Sequence, residues 1–188
     1  WKYSNIYSLS IGQGVLGLSP LHMVNMACML ANRGYYYTPH FIRKMGDKGS
    51  PPREYLEKHQ TRIEPQYFEA VITGMKWAVQ QGTVWSQARM KTIEICGKTG
   101  TAQNPHGKDH SIFICFAPKD DPKIAVATVV ENSGFGGFVA APIATLMVEK
   151  YLNDTINRKN LYKHMLSRDF IHKDTTEDGK RREAGKNH

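Results

Sequence analysis

The stretch from Ile93 to Gln103, Ile-Glu-Ile-Cys-Gly-Lys-Thr-Gly-Thr-Ala-Gln, constrains the fold more than any other part of this sequence. Its first residues alternate between apolar and polar side chains, which predicts a half-buried β-strand. Two glycines, Gly97 and Gly100, then bracket a cation and a hydroxyl group, and Thr101 follows. A glycine within a strand usually marks a bulge or the close approach of a ligand or another backbone. We therefore expect a strand edge that can hold an extended, carboxylate-bearing peptide.

Two more strands and a helix follow this stretch at short spacing. The apolar run from Ser111 to Ala117 predicts one strand, and the run from Lys123 to Glu131 predicts another after a turn rich in Pro and Asp. Residues 138–153 have apolar side chains at helical spacing. Consecutive strands with short connections favour an antiparallel arrangement.

The first half of the chain carries clear helix boundaries. Ser19-Pro20 combines an N-cap residue with a proline at the first helical position, and Gly34 provides the matching C-cap glycine. Pro65 opens a second predicted helix that extends to about Gln81. The run from Ser8 to Leu18 contains three glycines, at positions 12, 14 and 17, and is predicted to be a loop with positive φ angles.

These blocks resemble the C-terminal half of a penicillin-binding protein transpeptidase domain. The resemblance rests on Gly97 to Gln103, on Phe116-Ala117-Pro118, and on a strand ending in Val130-Glu131-Asn132. An upstream block supports it independently, since Tyr7 to Gly14 followed by Leu18-Ser19-Pro20-Leu21 occurs in the order found in that family. The resemblance covers roughly residues 7–153. Within the family it is strongest for the class B, elongation-type members, which form the penicillin-binding protein 2 group.

The resemblance implies an α/β (α+β) fold of the penicillin-binding protein/β-lactamase-like type, with an antiparallel sheet and helices on its faces. Residues 1–154 would then be the C-terminal half of a transpeptidase domain, and residues 155–188 a basic, flexible tail. Because the sequence starts at Trp1 and not at methionine, we expect it to be a fragment of a longer chain.

The serine motifs on which acyl transfer by this family depends are absent from this sequence. None of its serines has a lysine three positions later, and none begins Ser-x-Asn. Tyr3-Ser4-Asn5 and Tyr151-Leu152-Asn153 resemble a tyrosine variant of the second motif, but both lie at the wrong distance from Lys98. We expect the nucleophile, its base and the second motif to lie upstream, so that this chain alone is inactive.

The resemblance implies that the intact parent is a serine-type D,D-transpeptidase that cross-links peptidoglycan stem peptides at the D-Ala-D-Ala bond. Lys98 would supply positive charge, and the hydroxyls of Thr99 and Thr101 would bind the substrate carboxylate. Gly100 would allow close approach of the peptide or drug, and the backbone N–H of Thr101 would be one oxyanion-hole donor.

The same resemblance implies the partners and the location of the parent. β-Lactam antibiotics would acylate it, proteins of cell-wall elongation would bind it, and neither a cofactor nor a metal would be required. The parent would be anchored in the inner membrane by a missing N-terminal part, with this domain facing the periplasm. The sequence itself contains neither a signal peptide nor an apolar run long enough to span a bilayer.

Other functions are open from the residues alone. The strand edge could belong to a non-catalytic peptide-binding module, or the fold to a β-lactam sensor or β-lactamase-like domain, against which the Tyr7–Gly14 block and the Thr99/Thr101 pattern argue. The net charge of +8 could indicate a nucleic-acid or membrane-surface binder. No nucleic-acid module is recognisable, and part of the charge lies in Lys180-Arg181-Arg182.

Two smaller sequence features allow narrower predictions. The segment from Asn104 to His110 contains two histidines and an aspartate, but a hairpin loop is favoured over a metal site because no further ligands support it. The odd number of cysteines, Cys28, Cys96 and Cys115, favours free, buried thiols over a disulfide framework, although the last two could lie on neighbouring strands.

Overall fold

The computed structural model describes residues 2–14, 16–46, 49–82 and 84–170. The helices are α1 (Tyr3–Ser10), α2 (Pro20–Ala31), α3 (Arg53–Leu56), α4 (Gln66–Gln80), α5 (Trp85–Ala88), α6 (Ala140–Asn153) and α7 (Lys159–Leu166). The strands are β1 (Tyr35–Tyr37), β2 (Lys58–Gln60), β3 (Cys96–Ala102), β4 (His110–Ala117) and β5 (Ile124–Val130).

The centre of the fold is an antiparallel sheet with strand order β3-β4-β5. Strand β4 lies in the middle, with Lys98 opposite Ile114 on one side and Val126 opposite Cys115 on the other. Helices α2, α4 and α6 all contact this sheet, while β1 and β2 form a separate antiparallel pair. The predicted combination of an antiparallel sheet with helices on its faces is confirmed.

The sheet separates two hydrophobic clusters, because alternate side chains of β4 point to opposite faces. Phe113 and Cys115 lie in the cluster that includes the buried face of α6. Phe116 and Cys96 lie in the other cluster, with Phe68, Ile72 and Met75 of α4 and Ala31 of α2. Phe113 and Phe116 are both fully buried, so the middle strand supplies a phenylalanine ring to each side.

The predicted boundaries of the first two long helices are confirmed. The Ser19 hydroxyl oxygen accepts a hydrogen bond from the His22 backbone N–H at 3.3 Å, and Pro20 is the first residue of α2. Gly34 follows the helix with a φ of +111°, where its missing side chain also leaves room for the Phe68 ring. Helix α4 begins directly after Pro65, and its buried residues have helical spacing.

Two predicted boundaries are wrong. Strand β3 begins at Cys96 and not at Ile93, because its partner β4 ends at Ala117 and the following Pro118 has no N–H to continue the ladder. The predicted loop from Ser8 is wrong for its first three residues, which complete α1. Gly12 and Gly14 adopt the expected positive φ angles of +74° and +82°, whereas Gly17 does not.

The last described helix, α7, lies in the region predicted to be a tail and contacts α6. Its connection to α6 is fixed by Glu149, which is almost completely buried and accepts hydrogen bonds from the Asn157 N–H at 2.9 Å and from the Arg158 Nε at 2.8 Å. The remainder of the predicted tail, residues 171–188, lies outside the described residues. None of the described helices is long and apolar enough to cross a membrane.

The three cysteines are free thiols, as predicted. Cys96 and Cys115 do lie on neighbouring strands, but Cys96 is opposite Phe116 and Cys115 is opposite Gly97. Their side chains therefore point to opposite faces of the sheet, where each is completely buried. Two side chains on opposite faces cannot form a disulfide.

We expect Cys96 and Cys115 of the folded protein to resist alkylation at pH 8, while Cys28 reacts first. Burial raises the pKa of Cys96 and of Cys115 to about 12, which lowers the thiolate fraction at pH 8 roughly 10³-fold relative to a thiol of pKa 9.0. Burial also raises the pKa of Cys28, but this side chain is only half-buried and therefore more accessible to the reagent. Mass spectrometry after a short iodoacetamide pulse should find only Cys28 of these three thiols modified in the native protein, and all three modified in urea. Fast modification of all three under native conditions would contradict this packing.

Candidate functional site

The four residues predicted to form the site, Lys98, Thr99, Gly100 and Thr101, lie consecutively on β3. Among the described residues no strand pairs with the other side of β3, so these residues occupy a sheet edge. The Lys98 side chain is exposed, and its Nζ donates a hydrogen bond to the Thr99 carbonyl oxygen at 2.6 Å. The ammonium group therefore lies along the edge of the strand. This stretch of β3 carries one lysine and two threonines within four residues.

The backbone of Thr101 is turned towards the open edge. Gln13 Nε2 donates a hydrogen bond to the Thr101 carbonyl oxygen at 2.7 Å, although the two residues are 88 positions apart. In an antiparallel pair, each residue either exchanges both backbone hydrogen bonds with its partner or directs both groups away from it. The N–H of Thr101 therefore points to the same side as its carbonyl, away from β4 and towards the open edge.

Gln13 is held in place by the way in which α1 ends. The Gly12 N–H donates to the Leu9 carbonyl at 2.9 Å, and the Gln13 N–H donates to the Ser8 carbonyl at 2.8 Å. These two bonds, with Gly12 in the left-handed conformation, are the Schellman motif that ends many helices. No chemical role is predicted for this segment from the sequence alone. The only signal was the pair of glycines on either side of Gln13.

The two glycines of the predicted motif serve different purposes. A Cβ at Gly97 would lie 2.4 Å from Cζ of Phe113, so Gly97 makes room for a core side chain and not for a ligand. A Cβ at Gly100 would lie 3.3 Å from Cβ of Ile112, which is tight, and Gly100 itself is half-buried. The glycine at position 97 is therefore explained by packing within the core and does not indicate the close approach of a ligand.

The loop before α6 packs against the site strand through the buried Gly136. A Cβ at Gly136 would lie 2.3 Å from the Ile112 carbonyl oxygen and 2.4 Å from the Gly100 carbonyl oxygen, so only glycine fits against these strands. Ser111, which is fully buried, links this loop to α6 by donating to the Phe135 carbonyl at 3.2 Å and accepting from the Ala140 N–H at 3.0 Å. Neither Gly136 nor Ser111 was identified from the sequence.

A groove of about 670 Å³ continues the edge of β3 beyond Thr101. It is lined by residues 12–14, Leu16, residues 102–105 and Asp109. Lys98 and Thr99 do not line it. The groove therefore begins where the predicted site ends, and Gln13 stands at the junction between the two.

The segment from Asn104 to His110 connects β3 and β4 as the predicted hairpin. Its polar groups bind one another, since the Asp109 Oδ1 accepts from the Asn104 N–H at 3.2 Å and the His110 Nδ1 accepts from the Asn132 N–H at 3.0 Å. Asn104 also donates from Nδ2 to the Asn132 Oδ1 at 2.6 Å. Among the described residues, no group of three or more side chains is arranged to hold a metal ion.

Chemically, groups of these kinds are suited to binding a carboxylate and to stabilising a developing oxyanion. Lys98 supplies the charge, the threonine hydroxyls and the outward Thr101 N–H supply donors, and all of them lie on one rigid strand. The nearby hydroxyl of Ser111 is not a candidate nucleophile, because it is buried and both bonds described above hold it in place.

Comparison with protein families and curated proteins places this arrangement in a known context. Residues 1–149 match the family described as the penicillin binding protein transpeptidase domain. The chain is 29% identical over 183 residues to the peptidoglycan D,D-transpeptidase MrdA of Haemophilus influenzae, covering 86% of this chain and 28% of that protein. It is 33% identical over 158 residues to the peptidoglycan D,D-transpeptidase PbpA of Mycolicibacterium smegmatis, covering 77% and 31%. The chain thus spans about a third of the length of these relatives.

Solved structures give the same picture. Pseudomonas aeruginosa PBP2 in complex with WCK 5153 superimposes with a TM-score of 0.72 at 32% identity, covering 81% of this chain and 33% of that chain. Penicillin-binding protein A of M. tuberculosis, as a penicillin G acyl-enzyme complex, superimposes with a TM-score of 0.64 at 30% identity, covering 77% and 34%.

Proposed function

Since this chain belongs to the penicillin-binding protein transpeptidase family, we propose that it is the C-terminal part of a serine-type peptidoglycan D,D-transpeptidase. This enzyme cross-links stem peptides through a serine acyl-enzyme formed at the D-Ala-D-Ala bond, and it binds penicillin. The observation that carries the proposal is the open edge of β3, on which Lys98 and Thr99 precede an outward-facing N–H at Thr101. An extended peptide can add to such an edge as a further strand.

Each residue of the edge has a distinct role in the proposed reaction. Lys98 attracts the terminal carboxylate of the donor peptide, or the ring carboxylate of a β-lactam, and the hydroxyls of Thr99 and Thr101 donate hydrogen bonds to it. Gly100 has no side chain, so the peptide can approach the backbone of the strand closely. The Thr101 N–H stabilises the negative oxygen of the tetrahedral intermediate, a contribution that is typically worth 10²–10³ in rate.

The nucleophile of the proposed enzyme is outside this chain, because no serine here has the Ser-x-x-Lys pattern. The acyl-enzyme described for the related M. tuberculosis protein supports covalent β-lactam binding in the parent. Residues 1–188 alone would bind a carboxylate weakly and would not become acylated. The alternative of a non-catalytic peptide-binding module differs from this proposal at one point, namely whether the parent has a reactive serine.

The organisation of the parent is part of the proposal. The transpeptidase region ends near residue 154, which agrees with a family match that ends at residue 149, and residues 155–188 follow it as a basic extension. The parent is anchored in the inner membrane by a segment outside this chain, faces the periplasm, and works with proteins of cell-wall elongation. The names of the relatives support the peptidoglycan substrate.

We expect the intact parent, but not residues 1–188 alone, to be labelled covalently by fluorescent penicillin. The label should survive denaturing electrophoresis, because an acyl-enzyme ester is covalent. Peptide mapping should place it on a serine that is followed three residues later by lysine. Labelling that is lost on denaturation would favour the peptide-binding module, and covalent labelling of residues 1–188 would contradict the assignment of the nucleophile.

A further inference from the structure

The side chain of Gln13 makes a contact for which the proposed chemistry has not yet accounted. Its Nε2 donates to the Thr101 carbonyl oxygen at 2.7 Å, in a partly buried position. The acceptor belongs to the residue whose N–H is proposed to stabilise the oxyanion. A hydrogen bond at one end of this residue therefore restricts the orientation of the donor at its other end.

The alternative of an incidental surface contact does not fit the way in which Gln13 is presented. Its backbone is fixed by the Schellman end of α1, between Gly12 and Gly14, which both have positive φ angles. A Cβ at Gly14 would lie 3.0 Å from Cβ of Ser8, so the segment is folded closely against α1. This local structure directs a single amide side chain to β3, and the chain returns to that point only 88 residues later.

Two other contacts hold the strand at the same place, but from different directions. The loop at Gly136 packs on the backbone of Gly100, and β4 pairs with the inner side of β3. Neither of them reaches the open edge. Among the described residues, Gln13 is the side chain that hydrogen-bonds the backbone of Thr101 from that edge.

We propose that Gln13 is a positioning residue, which holds the carbonyl of the Thr101–Ala102 peptide group and thereby restricts the backbone of Thr101, so that its N–H, in the preceding peptide group, points at the developing oxyanion. This inference rests on the proposed transpeptidase function. Because Gln13 occupies one acceptor position of the Thr101 carbonyl, it also sets how far a peptide can pair along β3. The bound peptide pairs with the strand up to Thr101, and the groove beyond Gln13 receives the groups that follow.

The test compares acylation of the intact parent by a β-lactam in four forms, which are wild type, Gln13→Leu, Gln13→Glu and Gln81→Glu. Leucine removes the donor at similar size, and glutamate is isosteric but places a carboxylate against the carbonyl oxygen. Gln81 is exposed at the end of α4, so Gln81→Glu is the matched control for the added charge. Stopped-flow measurements separate the dissociation constant of the initial complex from the rate constant of acylation.

We expect Gln13→Leu to lower the acylation rate constant about tenfold, and Gln13→Glu to lower it further, because a misplaced oxyanion donor acts on the transition state. The initial dissociation constant and the melting temperature should stay close to those of wild type, as should both constants of Gln81→Glu. Equal acylation rates in wild type and Gln13→Leu would overturn the inference and leave the transpeptidase proposal standing. A fall in melting temperature that accounts for the lost activity would also overturn it, since the bond would then be structural. A wild-type parent that is not acylated would overturn the proposed function itself.

Discussion

In the intact parent, Lys98→Ala and Thr99→Val should each lower the rate of β-lactam acylation by roughly 10²-fold or more without unfolding the domain. Each change removes a group that binds or stabilises negative charge at the site, and such groups typically contribute this much to the rate. Folding should be retained because Lys98 is exposed and Thr99 is only half-buried on the edge of the sheet. Fluorescent penicillin labelling over time measures the rate, and thermal melting measures the stability.

The chain contains a matched control for both substitutions a few residues upstream. Lys91-Thr92 repeats the same pair of residue types, and both side chains are exposed before β3 begins. Lys91→Ala and Thr92→Val therefore make the same chemical changes away from the edge, and should leave labelling unchanged. If the variants at 98 and 99 label as fast as those at 91 and 92, the assignment of the site is wrong.

Gly136→Ala should destabilise the protein by about 1–3 kcal/mol and lower acylation at the same time. The added methyl group would lie 2.3 Å and 2.4 Å from two backbone carbonyl oxygens, those of Ile112 and Gly100. Neither oxygen can move without moving its strand, so the loop must lift or the site strand must shift. Thermal melting and penicillin labelling of the intact parent test both effects.

Gly74→Ala is the matched control, because Gly74 is exposed within α4 and a Cβ there would meet no atom within 4 Å. An alanine in a helix interior is more stable than a glycine by roughly 0.5–1 kcal/mol, so this variant should melt slightly higher than wild type. If both glycine variants melt at the same temperature, the loop at Gly136 does not pack on the site strand as described.

Local signals in the sequence predicted the elements whose boundaries are set by local chemistry. The start of α2 follows from Ser19-Pro20, where the capping hydrogen bond is formed between residues only three positions apart. The start of β3 was predicted wrongly because it depends on a partner strand that is distant in the sequence. Ile93 and Glu94 have strand-like alternation, but the end of a strand depends on its partner, and β4 ends at Ala117.

In the candidate site, too, local features could be predicted from the sequence, whereas contacts between distant segments could not. The charged and hydroxyl-bearing residues of β3 are contiguous, so their presence on one strand edge could be predicted from the sequence. The bond from Gln13 to Thr101 could not, because it joins segments that only the tertiary fold brings together. Gly136 and Ser111 were missed for the same reason, since each is defined by the backbone that packs against it.

The open edge of β3 has a consequence for the behaviour of the protein in concentrated solution. An edge of the kind proposed to hold a substrate peptide can also pair with a strand from another copy, and unprotected edges lead to aggregation. The exposed charge of Lys98 opposes such pairing, and Gln13 already occupies a backbone acceptor that a long strand would need. Both features restrict the pairing of β3 with strands from other molecules.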